Sequence, residues 1–299
     1  MTKFDLHFHS NHSDGKLSIS ELALIIKEKK LEYCALTDHN TVSGVRELTK
    51  ALVNFPTKVI PATEITAKYN DNEIHILAYD FDIDEAAEIL NERAEILRVK
   101  KIEEIKIAIE LSRQAGLKVA HDLEPLEKQP VSLTVALDIC ANSVNQKFFL
   151  KQYGKQLIPE DIYYLYQAPG KSCAVERSGV TVEWVIRKFK KVARDLIIAH
   201  PFVSVSVVTK PLDEAAIDDL LKLGLTGFEV YHNNTSKEQI EFLKTKALKK
   251  KIHYTGGSDF HGKINDTSIG QYSPQSVIPN FYLSNFNADK YMPNTLLIE

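Results

Sequence analysis

Residues 4–26 read FDLHFHSNHSDGKLSISELALII and combine a short strand with the start of a helix. From Phe4 to Phe8 apolar and polar side chains alternate, which is the period of a β-strand. In Ser18-Ile19-Ser20-Glu21 a serine precedes a glutamate by three residues, which is a capping box, and apolar residues follow from Leu22. The segment therefore predicts a strand, a polar loop and a helix, which together form the repeating unit of α/β proteins.

The alternation of strands and helices continues along the chain. Further strands are predicted at 33–37, 58–63, 74–79, 196–199, 227–231 and 252–255, and helices at 182–192, 213–223 and 237–250. Residues 84–115 are predicted to form one long helix or two in succession, ending at Gly116. Residues 122–180 are less regular, and we interpret them as a mostly helical insertion. The stretch from Lys263 is rich in Asn, Ser and Pro and is expected to wrap over the main domain. The pattern is typical of an α/β fold with a parallel sheet.

Composition excludes several classes of protein. With 44% hydrophobic residues, 12 glycines and 11 prolines, the chain is neither disordered nor fibrous. The longest apolar runs fall far short of the ~20 residues that cross a bilayer. Since the first residues contain no apolar signal segment, we expect a cytoplasmic protein without a membrane anchor. The three scattered cysteines predict no disulfide framework, and a net charge of −3 favours no large nucleic-acid interface.

Histidines and carboxylates occur at the ends of the predicted strands. His7 and His9 are two residues apart and therefore face the same side of their strand. The other candidates are Asp14, His39, Glu64, His75, His200, Asp259 and His261. In a parallel α/β barrel the carboxyl ends of the strands meet on one face, where these side chains would come together. Imidazole and carboxylate ligands suit Mn, Fe or Zn, and nine ligands are too many for one ion, so two to three divalent ions are expected.

The chain resembles the polymerase and histidinol phosphatase (PHP) family in six ordered motifs. They are His7-x-His9 with Ser13-Asp14-Gly15, Thr37-Asp38-His39, Glu64, Ile74-His75, Ala199-His200-Pro201 and Gly257-Ser258-Asp259-Phe260-His261. The match is closest to bacterial metal-dependent phosphoesterases that act on nucleotides and short RNA. It implies a distorted (βα)7 TIM-like barrel made of residues 1–121 and 181–299, with residues 122–180 as an inserted, mostly helical subdomain.

The resemblance also implies a role for each motif residue in a trinuclear metal centre. By this comparison one ion is held by His7, His9, Glu64 and Asp259. Glu64 bridges to a second ion that His75 and His200 also hold, and Asp14, His39 and His261 hold the third. Arg98 is implied to meet the substrate phosphate.

Our hypothesis is hydrolysis of a phosphate ester of a nucleotide or short oligoribonucleotide by a metal-bound hydroxide, which Glu64 and Asp259 help to hold. Three alternatives stay open: a small-metabolite phosphatase of the histidinol-phosphate type, a hydrolase of the amidohydrolase kind, and a non-catalytic metal-binding accessory protein. Asp38 either orients a ligand imidazole or binds the turn after its strand. His121 and His232, which follow predicted strands, either protonate a leaving group or are loop histidines.

Overall fold

The computed structural model describes residues 3–126, 129–204, 209–264 and 266–272. These residues divide into two compact units. The first contains the chain up to Asn91 and again from Val180, and the second contains Glu92–Gly179.

The first unit contains the strands. In chain order they are β1 (Phe4–Phe8), β2 (Tyr33–Leu36), β3 (Lys58–Val59), β4 (Ala62–Tyr69), β5 (Asn72–Tyr79), β6 (Asp195–Ile198), β7 (Gly227–Tyr231) and β8 (His253–Gly256). β1, β2 and β3 form a parallel sheet, and β4 to β8 form a second sheet in sequential order. Single parallel bridges join Phe8 to Phe260 and His39 to Glu64. Within the described ranges the strands therefore make two linked sheets, and no closed barrel is formed.

The expectation of an all-parallel sheet was wrong for part of the second sheet. β6, β7 and β8 are parallel, but β5 pairs antiparallel with both β4 and β6. Only Asn70 and Asp71 connect β4 to β5, and a link of two residues can join only antiparallel neighbours. Asn70 has a φ of 51°, the left-handed conformation that such tight turns require.

Helices follow most strands, as the sequence predicted. They are α1 (Ile19–Lys29), α2 (Ser43–Ala51), α3 (Ile83–Gln114), α4 (Val131–Ala141), α5 (Ser143–Tyr153), α6 (Pro159–Ile162), α7 (Val182–Phe189), α8 (Glu214–Leu223) and α9 (Lys237–Lys250). The capping box is present: the Ser18 side chain accepts a hydrogen bond from the Glu21 main-chain N–H, and the Glu21 carboxylate accepts one from the Ser18 main chain. α3 confirms the predicted long helix and ends before Gly116, which has a φ of 81°.

Each unit has its own apolar core. In the first unit, α1 packs Leu22 and Ile26 against Phe8 of β1 and Leu36 of β2. This burial follows from the spacing of the apolar residues along α1 and holds the helix on the three-stranded sheet. Nothing is described beyond residue 272, so the expected wrap of the C-terminal stretch lies largely outside the described residues.

The second unit is helical. It contains most of α3, then α4, α5 and α6, and a π-helical turn at Tyr163–Gln167. Its core is one buried cluster that includes Val135, Ile139, Phe149 and Ile162. No strand directly precedes His121, because residues 117–120 form neither strand nor helix, so the strand predicted before this residue was wrong. The boundaries expected at residues 122 and 180 stay a prediction. In the described part of the chain, no helix has both the length and the apolar character needed to span a membrane.

Candidate metal centre

Three overlapping groups of histidine and carboxylate side chains lie in the first unit. Within each group the nitrogen or oxygen atoms that could bind a metal lie within 4.8 Å of one another. The groups are His7, His9, Glu64 and Asp259; His39, Glu64 and His75; and His9, Asp14, His39 and His261. The ninth expected residue, His200, places Nε2 3.1 Å from Oε1 of Glu64. All nine residues predicted from the sequence thus come together, with His9, His39 and Glu64 each shared by two groups.

The strand ends account for this convergence. His7 lies in β1 and His9 lies just beyond the strand, and their rings are tilted with a centroid distance of 5.3 Å. His39 follows β2 and forms a bridge with Glu64 of β4. Asp259 and His261 follow β8, at the end of the other sheet. The parallel strands β1, β2, β6, β7 and β8 direct their carboxyl ends to this one region, as in other α/β folds.

The backbone at two of these positions is unusual. His200 has a φ of 26° and Asp259 a φ of 49°, both in the left-handed region that non-glycine residues seldom adopt. Such conformations cost about 1–3 kcal/mol each and occur mainly at functional sites. Gly257 permits a close approach of the β8 end to β1, because a Cβ there would lie 2.3 Å from Cβ of His7. The backbone conformations that place these side chains therefore reduce the local stability of the fold.

Glu64 is the most connected carboxylate of the cluster. Oε1 lies 2.9 Å from Nδ1 of His75, and Oε2 lies 3.2 Å from Nε2 of His7. Oε2 is also 3.2 Å from Nε2 of His9. Burial alone would raise the pKa of Glu64, but the nearby imidazoles of His39, His7 and His75 hold it well below the ordinary value. Glu64 is therefore a buried anion that needs positive charge around it.

The histidines respond to the same charges. Burial opposes protonation of His9, but hydrogen bonds from its ring to Asp259 and Glu64 raise the pKa to about 9. Burial lowers the pKa of His39 to about 3, because the attraction of Glu64 offsets only part of the desolvation. Burial would also raise the pKa of Asp259, but the charge of His7 and hydrogen bonds from His232 and His9 hold it well below the ordinary value. The cluster thus holds charged carboxylates beside neutral and protonated imidazoles.

The donor atoms fit divalent metal ions. Nδ1 of His9 and Nδ1 of His39 are buried and make no hydrogen bond, so each is a nitrogen that would bind a cation when its ring is neutral. An orphaned buried nitrogen of this kind is costly without a partner. Nitrogen and oxygen donors without thiolate are the ligands of Mn, Zn and Fe sites open to water. All of these donor atoms belong to side chains of the cluster.

Sequence reasoning missed Glu229 of β7. This carboxylate is buried, and its Oε1 lies 3.1 Å from Nδ1 of His7. Its signal in the sequence is a single acidic residue between apolar neighbours in the strand Gly227–Tyr231. Charged residues are almost never fully buried unless they are paired, so such a residue indicates a partner in the core.

Other candidates have different surroundings. Asp38 accepts hydrogen bonds from the main chain and hydroxyl of Ser10 and from the hydroxyl of Ser13, which lie in the loop after β1 and not in the turn after its own strand. His232 lies in the loop directly after β7, and its buried ring places Nε2 3.2 Å from Oδ2 of Asp259. Arg98 lies in the second unit on α3, exposed and paired with Glu95. Its assignment to the substrate stays a prediction.

Two curated proteins align with nearly the whole chain. Residues 5–167 also match the PHP domain family. The chain is 27% identical to a 5′-3′ exoribonuclease of Haemophilus influenzae, over 93% of this chain and 97% of that protein. It is 23% identical to a 3′,5′-nucleoside bisphosphate phosphatase of Chromobacterium violaceum, over 87% of this chain and 88% of that protein.

The fold has a counterpart among solved structures. A Bifidobacterium adolescentis protein described as a metal-dependent phosphoesterase superposes with a TM-score of 0.61 at 22% identity, covering 92% of this chain and 94% of that one. Together with the cluster of histidines and carboxylates, the matches define a metal-dependent phosphoesterase, which is a hydrolase. The chain belongs to the PHP family.

Proposed function

We propose that this phosphoesterase hydrolyses a phosphate ester of a nucleotide or of a short oligoribonucleotide. The observation that carries the proposal is the set of three overlapping ligand groups that share Glu64, His9 and His39. Hydrolysis of a phosphate ester suits such a centre, because several cations can stabilise the attacking and leaving oxygens together. The choice of substrate is supported by two relatives, one named for RNA and one for nucleoside bisphosphates.

The proposed cofactors are two to three divalent ions of Mn, Zn or Fe. We assign one ion to His7, His9, Glu64 and Asp259, a second to Glu64, His75 and His200, and a third to Asp14, His39 and His261. When bound, such ions supply an activated water and a positive field for the phosphate oxygens. That field is needed, because the net charge of −3 gives the chain no general attraction for an anion.

The protein side chains contribute charge and order to this reaction. Glu64 and Asp259 keep their negative charge at neutral pH, since their pKa values are lowered, and both are available as ligands. Glu64 is buried together with His7 and His9. Fixed charges in a buried environment interact more strongly than they do in bulk solvent.

The two sheets of the first unit are also part of the proposal. We propose that the two sheets of the first unit are the halves of a distorted (βα)7 barrel. The bridges Phe8–Phe260 and His39–Glu64, one at each junction between the sheets, support it. In a barrel of this kind the active site lies at the carboxyl ends of the strands, where the ligand groups are found.

The test is turnover by protein reconstituted with Mn, with the metal content measured on the same sample. The substrates are an aryl phosphate, nucleoside monophosphates, 3′,5′-bisphosphates and short RNA with a 5′-phosphate. We expect two to three ions per chain and a strong preference for a nucleotide or RNA. A preference for small-metabolite phosphates would replace the nucleotide assignment. Bound metal with no turnover on any phosphate would contradict the proposed reaction.

A further inference from the structure

Strand β7 contributes none of the proposed ligands, yet two buried groups at its carboxyl end contact them. Glu229 lies within the strand, and His232 follows it directly. Glu229 contacts His7, and His232 contacts Asp259, each through hydrogen-bonding atoms. Their contacts determine which atoms of the ligands face the centre.

Both carboxylate oxygens of Glu229 are engaged. Oε2 accepts a hydrogen bond of 2.9 Å from the main-chain N–H of His200, and Oε1 lies 3.1 Å from Nδ1 of His7. A carboxylate only accepts, so Nδ1 of His7 donates to Glu229, and this contact would keep the ring proton on Nδ1 when Nε2 binds an ion. Nε2 of His7 points the other way, 3.2 Å from Oε2 of Glu64 and 3.3 Å from Oδ1 of Asp259. Glu229 thus directs Nε2 of His7 toward the proposed ions and holds the backbone that carries His200.

The ring of His232 is oriented in a similar way. Its Nδ1 accepts a hydrogen bond of 3.2 Å from the main-chain N–H of Asn234. Because an amide N–H only donates, the proton of the neutral ring is on Nε2, which donates to Oδ2 of Asp259 at 3.2 Å. Oδ1 of Asp259 is left facing Nε2 of His9 at 3.1 Å. His232 therefore binds Oδ2 of Asp259 and leaves Oδ1 directed toward His9.

We propose that Glu229 and His232 are positioning residues of the metal centre, which set the tautomer of His7 and the orientation of Asp259. The inference rests on the proposed metal centre, since it concerns how the ligands are presented to the ions. Hydrogen bonds from such outer partners fix ligand geometry, and their loss typically lowers metal affinity or activity about 10–100-fold.

Glu229→Gln tests the first half of the inference. A glutamine amide has one accepting and one donating end, whereas His200 N–H and His7 Nδ1–H both donate. Either orientation of the amide leaves two donors facing each other or forces His7 into the other tautomer. We expect the affinity for Mn, measured by competition with a chelator, to fall about 10–100-fold. The matched control is Asp195→Asn, which neutralises a buried carboxylate at the start of β6, bonded to Thr226 and His253.

A pair of variants tests the second half. His232→Ala removes the donor to Asp259, while His232→Gln retains an N–H that can reach the same oxygen. We expect a similar loss of Mn affinity in His232→Ala and a partial rescue in His232→Gln. Equal losses in the two variants would overturn the role assigned to the hydrogen bond.

A spectroscopic measurement on the wild-type protein needs no substitution. Long-range ¹H–¹⁵N correlation spectra of the zinc-loaded protein report which ring nitrogen carries the proton. We expect His7 protonated on Nδ1 and His232 protonated on Nε2. The reverse tautomer of His7 would overturn the inference. So would an Mn affinity of Glu229→Gln within about twofold of wild type, or an equal loss of Mn affinity in Asp195→Asn. If the wild-type protein bound no divalent ion, the proposed metal centre itself would fail, which is a distinct result.

Discussion

Nε2 of His9 lies 3.1 Å from Oδ1 of Asp259, although 250 residues separate them in the chain. The first follows β1 and the second follows β8, and the bridge between Phe8 and Phe260 brings the ends of these strands together. This contact therefore depends on both sheets being correctly joined. It also places an imidazole and a carboxylate in one ligand group.

Asp259→Asn should reduce both metal content and turnover. The amide has no charge to balance a cation, and its NH₂ group would face either His9 or His232. Loss of a ligand should cost more than the 10–100-fold typical of outer partners, so we expect turnover to fall at least about a hundredfold. Metal analysis and phosphatase assays on the same sample check this. Glu28→Gln, an exposed change on α1, is the control, and an active Asp259→Asn enzyme with full metal content would contradict the assignment.

Removal of metal should destabilise the folded protein. Ions that bind only the native state stabilise it by about 2.7 kcal/mol when their free concentration is a hundred times Kd. We expect a chelator to lower the unfolding temperature by several degrees in calorimetry and added Mn to restore it. In Glu64→Gln, which alters a residue shared by two ligand groups, the shift should be much smaller. An unfolding temperature insensitive to the chelator would argue against the centre.

Arg98→Ala tests the predicted contact with the substrate phosphate. Arg98 is exposed and donates two hydrogen bonds of 2.8 Å to Glu95, so its removal should leave the fold and the metal content unchanged. A hydrogen bond to a charged group is worth about 1.5–3 kcal/mol, and we therefore expect KM to rise about tenfold or more with little change in kcat. Steady-state kinetics on a nucleotide substrate measure both. Glu95→Gln controls for loss of the ion pair, and an unchanged KM in Arg98→Ala would exclude the contact.

The pair of His253 and Asp195 predicts a pH dependence of stability remote from the ligands. A hydrogen bond to the buried carboxylate of Asp195 raises the pKa of His253 above its ordinary value of 6.5. The protonated ring is thus favoured in the folded state, and its stabilisation is fully present below about pH 6.5 and lost as the pH rises through the raised pKa. The stability difference between wild type and His253→Gln should shrink from pH 6 to pH 9 in urea unfolding. A difference that grows with pH would contradict this.

Much of the local structure was predictable because it depends on neighbours in the sequence. The capping box at Ser18 and Glu21 begins α1 through contacts within four residues, and the helix over Ile83–Gln114 follows from its apolar spacing. The antiparallel pairing of β5 was not predictable from the run Ile74 to Tyr79, because the apolar pattern of a buried strand does not encode its direction. The short connection at Asn70 and Asp71 is the signal that decides it.

The sequence by itself determined the order of strands and helices and the residue types available as ligands, since these follow from periodicity and side-chain chemistry. Tertiary structure alone decided how the ligands are grouped. His9, His39 and Glu64 each belong to two groups, and Glu229 and His232 contact His7 and Asp259. Distances between residues far apart in the chain depend on strand register and on how the sheets join, and neither can be predicted from neighbouring residues in the sequence.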